Sequence, residues 1–377
     1  MMRAHSLLLL TAVLLAVACR RGSVRAGDPQ GGDTLRLKYS TLLTIVRHQG
    51  YTDVAVANPW KTGRVLHRYR LVPAGRPLPG SDDPAVTVVS TPIERASVFT
   101  TVHCALLTQL GVGERIVGVA DLKYIKIPYI HERVRQGHII DCGNGLSPVV
   151  EKIIDQRPDA IMLSPFENSG GYGRVEELGI PLIECAEYME SSPLARAEWM
   201  RFYGMLFGRE RQADSLFAVV DSSYQALTAV AARAGTGRSV VIDKMAGSVW
   251  YVPGGRSTLG CMVADAGGAY PWASDGHSGS LALPFETVLE RGGDCDVWLL
   301  RYSAPHALTL NGLLADHQGY SQMRAFRRGE VYGCNVDRSP FYEESPFRPD
   351  WLLADFISIV HPELSQLPPL RYFHKLK

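Results

Sequence analysis

The sequence predicts an α/β protein of two Rossmann-like lobes, each built on a central, mostly parallel sheet, joined by a long rigid α-helix. Three observations predict it. From Ser97 onward short apolar runs alternate with stretches of helical rhythm; residues 195–234 contain no proline; and after Gly235 the alternation resumes in the same style. Strands that alternate with helices make parallel sheets with helices on their faces.

In chain order, residues 35–90 carry strand signals. Asp53-Val54-Ala55-Val56-Ala57 and the run holding Val65, Leu66, Tyr69 and Leu71 flank Asn58-Pro59-Trp60-Lys61-Thr62-Gly63, the pattern of a hairpin. An N-terminal lobe, 35–194, continues with a helix over 101–111, a strand over 116–119 and a helix over 149–155. A strand over 160–163, a short helix over 175–178 and a strand over 181–184 complete it.

The connector, 195–234, places Leu216, Val220, Tyr224 and Leu227 on one helix face, with Gly208 as its expected division. A helix over 209–232 would be about 36 Å long at about 1.5 Å per residue. Such a segment permits little closure of two lobes, whereas a Gly/Ser linker would hinge freely. The C-terminal lobe, 235–377, follows with a strand over 239–242, helices over 258–266 and 285–291, strands over 297–300 and 330–332, and a helix over 351–360.

The first residues bear on the compartment. Arg3 and His5 precede an apolar run from Leu7 to Ala18 that ends in small residues and Cys19. The run is well short of the roughly 20 residues that cross a bilayer, so 1–19 reads as a signal peptide and not a span. Leu15-Ala16-Val17-Ala18-Cys19 resembles a bacterial lipobox, with Ala16 where leucine is usual, which makes Cys19 the expected lipidated residue. Ordinary cleavage nearby, with Cys19 discarded, is the alternative. Residues 20–34, rich in Gly, Arg and Asp, read as a tether. The expected location is the periplasm, held to a membrane through the lipid anchor only.

Composition narrows the class. The chain is 46% hydrophobic and 20% charged, and its 39 basic residues are balanced by 38 acidic ones with no long run of either sign. A nucleic-acid binder would show a basic stripe, so no polyanion partner is expected. The roughly 340 residues beyond the tether exceed what a single core usually organises, which again favours two lobes. Of seven cysteines, no two stand at Cys-x-x-Cys spacing, so a zinc knuckle is not expected; disulfides and buried free thiols both remain open. His103, His131, His138 and His277 show no common metal-ligand spacing and read as surface or capping residues.

Enzyme motifs are poorly represented. Gly276-His277-Ser278-Gly279-Ser280 approaches a nucleophile elbow but lacks its last glycine, and no strand feeds it. There is no phosphate-cradling loop ending in Lys-Ser or Lys-Thr and no His-Glu-x-x-His. A serine-type hydrolase is therefore the weakest reading, and no catalytic residue is assigned.

The two lobes share a detail. Glu151-Lys152-Ile153-Ile154, followed by the strand after Pro158, is echoed by Glu286-Thr287-Val288-Leu289, followed by the strand after Asp296. A glutamate at a helix start is favoured by the helix dipole by about 0.3–1 kcal/mol. A matched pair on two related helices also suggests one docking charge per lobe, ready to meet arginines of a partner.

From about Ser90 to Leu364 the chain resembles the class III periplasmic substrate-binding proteins of ABC importers, the group that binds vitamin B12, siderophores and haem. The resemblance rests on Leu106 to Val119, on Val150-Glu151 through Ile161, and on Leu178-Gly179-Ile180-Pro181-Leu182. Pro253-Gly254-Gly255-Arg256-Ser257 through Gly268, and Phe285-Glu286-Thr287-Val288-Leu289, complete it. It implies that Glu151 and Glu286 dock to the permease, one from each lobe, and that the ligand sits between the lobes on strand-to-helix loops. The expected ligand contacts beyond strand ends are Tyr124, Phe166, Tyr172, Trp250, Tyr251, Arg256, Arg301 and Tyr302. Aromatic faces suit a flat or greasy chelate, and arginines suit its carboxylates or net negative charge. The function expected is capture of a ferric siderophore, haem or cobalamin-type ligand by a monomeric lipoprotein that delivers it to the permease, with no cofactor of its own and no protein-held metal. A chelate-binding surface lipoprotein uncoupled from any permease is the alternative. The resemblance says little about residues 35–90.

Overall fold

The computed structural model describes residues 32–77, 83–167 and 171–377; the expected signal peptide, Cys19 and most of the tether lie outside the described residues. Five strands come first: β1 (Asp33–Thr34), β2 (Leu43–Arg47), β3 (Thr52–Ala57), β4 (Val65–Pro73) and β5 (Val86–Thr91). They form one sheet in sequence order, antiparallel except for the parallel β4–β5 pair. The sheet thus begins at Asp33, inside the stretch expected to be tether. The expected hairpin is β3–β4, and Asn58 Oδ1 accepts the amides of Trp60 and Lys61 in its turn. Leu43, Ile45, Val54, Val56, Tyr69 and Leu71 recur at every second position and give one face to the core.

The first parallel sheet follows. Its elements are β6 (Ala96–Val98), α1 (Thr101–Gln109), β7 (Ile116–Val119), α2 (Pro128–Arg135), β8 (Ile140–Asp141), a small hairpin of β9 (Gly143–Asn144) and β10 (Ser147–Pro148), α3 (Val150–Gln156), β11 (Ala160–Leu163) and β12 (Leu182–Glu184). The strand order is β12-β11-β6-β7-β8, all parallel. The central strands β6, β7 and β11 are buried at every position, which is why β7 and β11 read as apolar runs, while β6 also buries Ser97. The helix expected over 175–178 is a 3₁₀ turn, Gly173–Leu178, ended by Gly179 at φ 63°.

The connector divides into α4 (Pro193–Glu198), α5 (Met200–Leu206) and α6 (Glu210–Ala234). Gly208, at φ 62°, makes the break between α5 and α6. The second lobe runs through β13 (Val240–Ile242), β14 (Met245–Ala246), β15 (Val249–Pro253), α7 (Thr258–Asp265), β16 (Ser280–Leu283), α8 (Phe285–Gly292) and β17 (Val297–Tyr302). It ends with α9 (Leu310–Asp316), α10 (Arg324–Arg327), β18 (Val331–Asn335), α11 (Phe341–Glu344), α12 (Pro349–Val360) and β19 (His374–Lys375). Here β13, β17 and β18 are parallel, β19 closes the edge antiparallel, and β14-β15-β16 make a separate antiparallel sheet.

Helix α6, with 25 residues, is the long rod expected. It buries Ala213, Phe217, Val220, Tyr224 and Ala231 along one stripe, packing on α4 and α5 of the connector and on α7 and α12 of the second lobe, and it meets the first lobe at Tyr39, whose hydroxyl donates to Asp221 and whose ring lies edge-on to Phe217. Its Tyr224 hydroxyl donates to Asp265 at 2.6 Å, tying it to α7.

The leading five-stranded sheet is fastened to the first lobe by buried carboxylates. Glu198, fully buried, accepts the amides of Lys38, Tyr39 and Ser40 at 2.7–2.9 Å. Glu190, 2% exposed, accepts the amides of Thr41 and Leu42, the Thr41 hydroxyl and the Trp199 indole N–H. Buried charge is tolerated here because each oxygen meets several donors. The chain at 38–42 therefore clamps onto 190–199 before the first long strand begins. All six described cysteines are free thiols.

Candidate ligand-binding site

The two lobes meet at a seam of helices that follow their strands. Helix α1 starts three residues after β6, α11 starts six residues after β18, and the two helices pack together. Glu343 of α11 is 3% exposed and accepts the Thr101 hydroxyl at 3.0 Å and the Lys126 amide at 2.9 Å. One carboxylate from the second lobe thus joins two loops of the first. Phe347 adds edge-on contacts with His103 and Tyr203.

A hollow of about 500 Å³ beside this seam lies at the C-terminal strand ends of the first parallel sheet. That volume is in the range of small-molecule sites, and its position is the usual one for ligands in open α/β sheets. Phe99 and Thr100 follow β6, Asp121 follows β7, Ser164 and Phe166 follow β11, and the β9–β10 hairpin supplies Leu146. Tyr172 and Arg174 close the other side. Leu146 and Phe166 present apolar surface to solvent, 81% and 46% exposed. Asp121 adopts φ 52° and accepts the Gly145 amide at 2.9 Å, which pins the hairpin tip over the strand ends.

Of the residues expected at the ligand, Phe166 and Tyr172 line this hollow. The Tyr172 hydroxyl donates to Glu184 at 2.7 Å; burial first, and then this bond, pushes it far above the ordinary phenol range, so it keeps its proton. Tyr124 is exposed, with the Lys123 ammonium over its ring, two residues before the Lys126 amide that meets Glu343. Tyr251 and Arg256 are exposed on the second lobe. The glycines before Arg256 answer to packing: a Cβ at Gly254 would lie 2.3 Å from the His277 carbonyl, and one at Gly255 2.5 Å from those of Trp272 and Ala273.

Three of the expected ligand contacts have partners within the protein. Trp250 is fully buried, stacked on Trp298 at 5.4 Å with its indole N–H donating to the Ile242 carbonyl, so it belongs to the core while its neighbour Tyr251 takes the solvent side of the strand. The Arg301 guanidinium is occupied by a two-pronged ion pair with Asp243; burial opposes its charge, and Asp243 more than offsets that. Tyr302 is buried, its hydroxyl accepting the Leu308 amide and meeting His374. His103, read as a surface or capping residue, is 1% exposed, paired with the hydroxyl of Thr100, the residue before α1, through Nδ1 and 3.5 Å from Glu187 through Nε2. Burial alone would raise the Glu187 carboxyl; attraction to His103, then to Arg196, holds it below its ordinary value.

Asp121, Leu146 and Arg174 were not anticipated. The Asn144-Gly145 pair is a strong hairpin signal that would have marked Leu146 as a loop tip. A second, smaller cavity of about 280 Å³ sits at the strand ends of the second lobe. It is lined by Tyr302, Asn335, Ser339 and the exposed Arg338, whose side chain has no acidic partner among the described residues.

Both glutamates of the internal echo are exposed in the first turn of their helices, Glu151 on α3 and Glu286 on α8. Glu151 is held ionised below its ordinary range, first by its helix-end amide and then by Arg174, 3.2 Å away on the rim of the hollow. Among the described residues no group of three His, Cys, Asp or Glu side chains could hold a metal ion, and no helix is long and apolar enough to cross a membrane.

Residues 97–337 match the model of the periplasmic binding protein family. The chain belongs to that family. A periplasmic haem-binding protein of Pseudomonas aeruginosa shares this fold with a TM-score of 0.59 at 14% identity, covering 76% of this chain and 98% of that one. The periplasmic vitamin B12-binding protein of Vibrio cholerae does so with a TM-score of 0.53 at 13% identity, over 73% and 99%. An uncharacterized lipoprotein of Methanocaldococcus jannaschii is 24% identical over 362 residues, 90% of this chain and 85% of its own. That match is too long to omit the leading five-stranded sheet, whereas the family match begins after it. This periplasmic binding protein therefore carries a module that precedes the family's shared body.

Proposed function

We propose that the protein is the lipid-anchored, monomeric substrate-binding component of an ABC importer, capturing a metal chelate of the siderophore, haem or cobalamin type. The observation that carries the reading is the hollow of about 500 Å³ at the strand ends, with exposed Leu146 and Phe166 on its wall and Arg174 on its rim. Exposed apolar surface beside one cation suits a large, partly apolar ligand bearing carboxylates or net negative charge. Arg338, Arg256 and Tyr251 of the second lobe supply further cationic and aromatic surface for it. The haem- and vitamin B12-binding functions of the structural neighbours favour this ligand class.

Delivery rests on Glu151 and Glu286. Reversing both, Glu151→Lys with Glu286→Lys, changes two exposed charges and should leave melting within error, because exposed substitutions shift stability by about 0.5 kcal/mol or less; since it also frees Arg174 from Glu151, uptake is compared at saturating chelate. Uptake of the chelate in cells or proteoliposomes should fall at least tenfold. Uptake that persisted with both charges reversed would mean that delivery does not run through Glu151 and Glu286. Because α6 packs against both lobes and Glu343 bridges them, the lobes should close little on loading. A large compaction between free and loaded protein in small-angle scattering would contradict this.

A further inference from the structure

We propose that the leading five-stranded sheet is part of the ligand site, acting through His67 and Glu184 as positioning residues for Tyr172. The proposal deepens the chelate-binding reading and rests on it for the identity of the ligand, but the positioning itself is a property of the free protein.

The ring of Tyr172 borders two spaces: the ligand hollow and a groove of about 540 Å³ under the five-stranded sheet, lined by His67, Thr87, Glu176 and Glu184. What fixes that ring comes from both sides. Its amide donates to Glu176 at 2.7 Å, and its hydroxyl donates to Glu184 Oε1 at 2.7 Å. The other oxygen of Glu184 meets His67 Nδ1 at 2.8 Å, and His67 Nε2 meets the Thr87 hydroxyl on β5 at 2.7 Å. The Glu184 amide donates to the Tyr69 hydroxyl, and the His67 and Tyr69 rings stack at 4.4 Å. Glu184 is 7% exposed, so its geometry is set by these partners and hardly by water.

The direction of the chain of bonds follows from the groups. Tyr172 keeps its proton and can only donate to the carboxylate, so the other Glu184 oxygen is left to accept from His67 Nδ1–H. His67 Nε2 in turn meets the Thr87 hydroxyl. Every link from β5 to the pocket wall is thereby satisfied. A half-buried phenol with one strong acceptor holds its ring plane, and a ring that walls a ligand site confers affinity by being pre-set. His67 and Thr87 lie ahead of the residues that match the family, so this support for the site comes from the module.

Protein labelled with 3-fluorotyrosine and free of ligand gives one fluorine resonance per tyrosine, and Tyr172→Phe identifies the line of Tyr172. His67→Phe keeps a ring to stack on Tyr69 but removes both nitrogens. It should shift and broaden the Tyr172 line and leave that of Tyr320, in the second lobe, in place. Glu184→Gln, which preserves shape, should move the same line. A Tyr172 line unmoved by both variants would overturn the proposal, and dispersed lines elsewhere would show that the variants fold. Binding gives a second reading with whichever of haemin, cyanocobalamin or a ferric hydroxamate the unaltered protein takes. His67→Phe should weaken binding about tenfold in the presence of Tyr172 and less than about twofold in the Tyr172→Phe background. Equal losses in the two backgrounds would also overturn it. Failure of all three chelates to bind would remove the ligand reading, while the fluorine spectra would still decide whether the module positions Tyr172.

Discussion

Glu190→Ala should lower the melting midpoint by about 4 °C or more, measured by scanning calorimetry. The side chain is 2% exposed, and its loss strands the amides of Thr41 and Leu42 and the Trp199 indole N–H with no acceptor. Each buried donor left unpaired costs about 1–3 kcal/mol, so at least about 3 kcal/mol is at stake. At about 2.1 cal/mol/K of unfolding entropy per residue, that corresponds to roughly 4 °C for a body of this size. Glu210→Ala, at an exposed helix start, serves as the control and should shift the midpoint by less than about 1 °C. A Glu190→Ala variant that melted with the unaltered protein would mean that the 38–42 clamp contributes nothing to stability.

Replacing Leu146 and Phe166 together by alanine should weaken ligand binding by about 30-fold or more without changing the melting midpoint. Both side chains are exposed in the free protein, so little packing is lost on truncation. Both line the hollow, so a bound chelate would cover them. Burying such surface stabilises a complex by about 1–2 kcal/mol per side chain, and about 2 kcal/mol in total is already a factor of about 30. Titration calorimetry on the double variant checks this. Unchanged affinity would move the ligand away from the first-lobe hollow and toward the second-lobe face around Arg256 and Arg338.

The fold was legible because its signals are local. The buried strands β7 and β11 are apolar at every position, Gly208 interrupts the connector where a left-handed residue is needed, and α6 shows its stripe every three to four residues. The site was legible only in part. Phe166 and Tyr172 line the hollow, as residues in loops after a parallel strand can. Trp250 was misassigned because nearness to a strand end says nothing about which face a side chain takes; on β15 the alternation turned Tyr251 outward and Trp250 inward. Arg301 is a charge that sequence cannot distinguish from a free one, since its partner Asp243 lies 58 residues away. The same holds for the glutamates. Glu184, Glu190 and Glu198 look like ordinary surface acids, and their partners at 38–42 and 67 stand more than 100 residues earlier. Contacts that long-range leave no periodic trace.

The claim on which the rest depends is that the protein binds a metal chelate. It is tested by titrating protein lacking residues 1–19 with haemin, cyanocobalamin and several ferric siderophores, following tryptophan fluorescence corrected for ligand absorbance. Saturable, tight binding of one of them, weakened by the paired change at Leu146 and Phe166, is the predicted result. Absence of saturable binding with every chelate would contradict the claim.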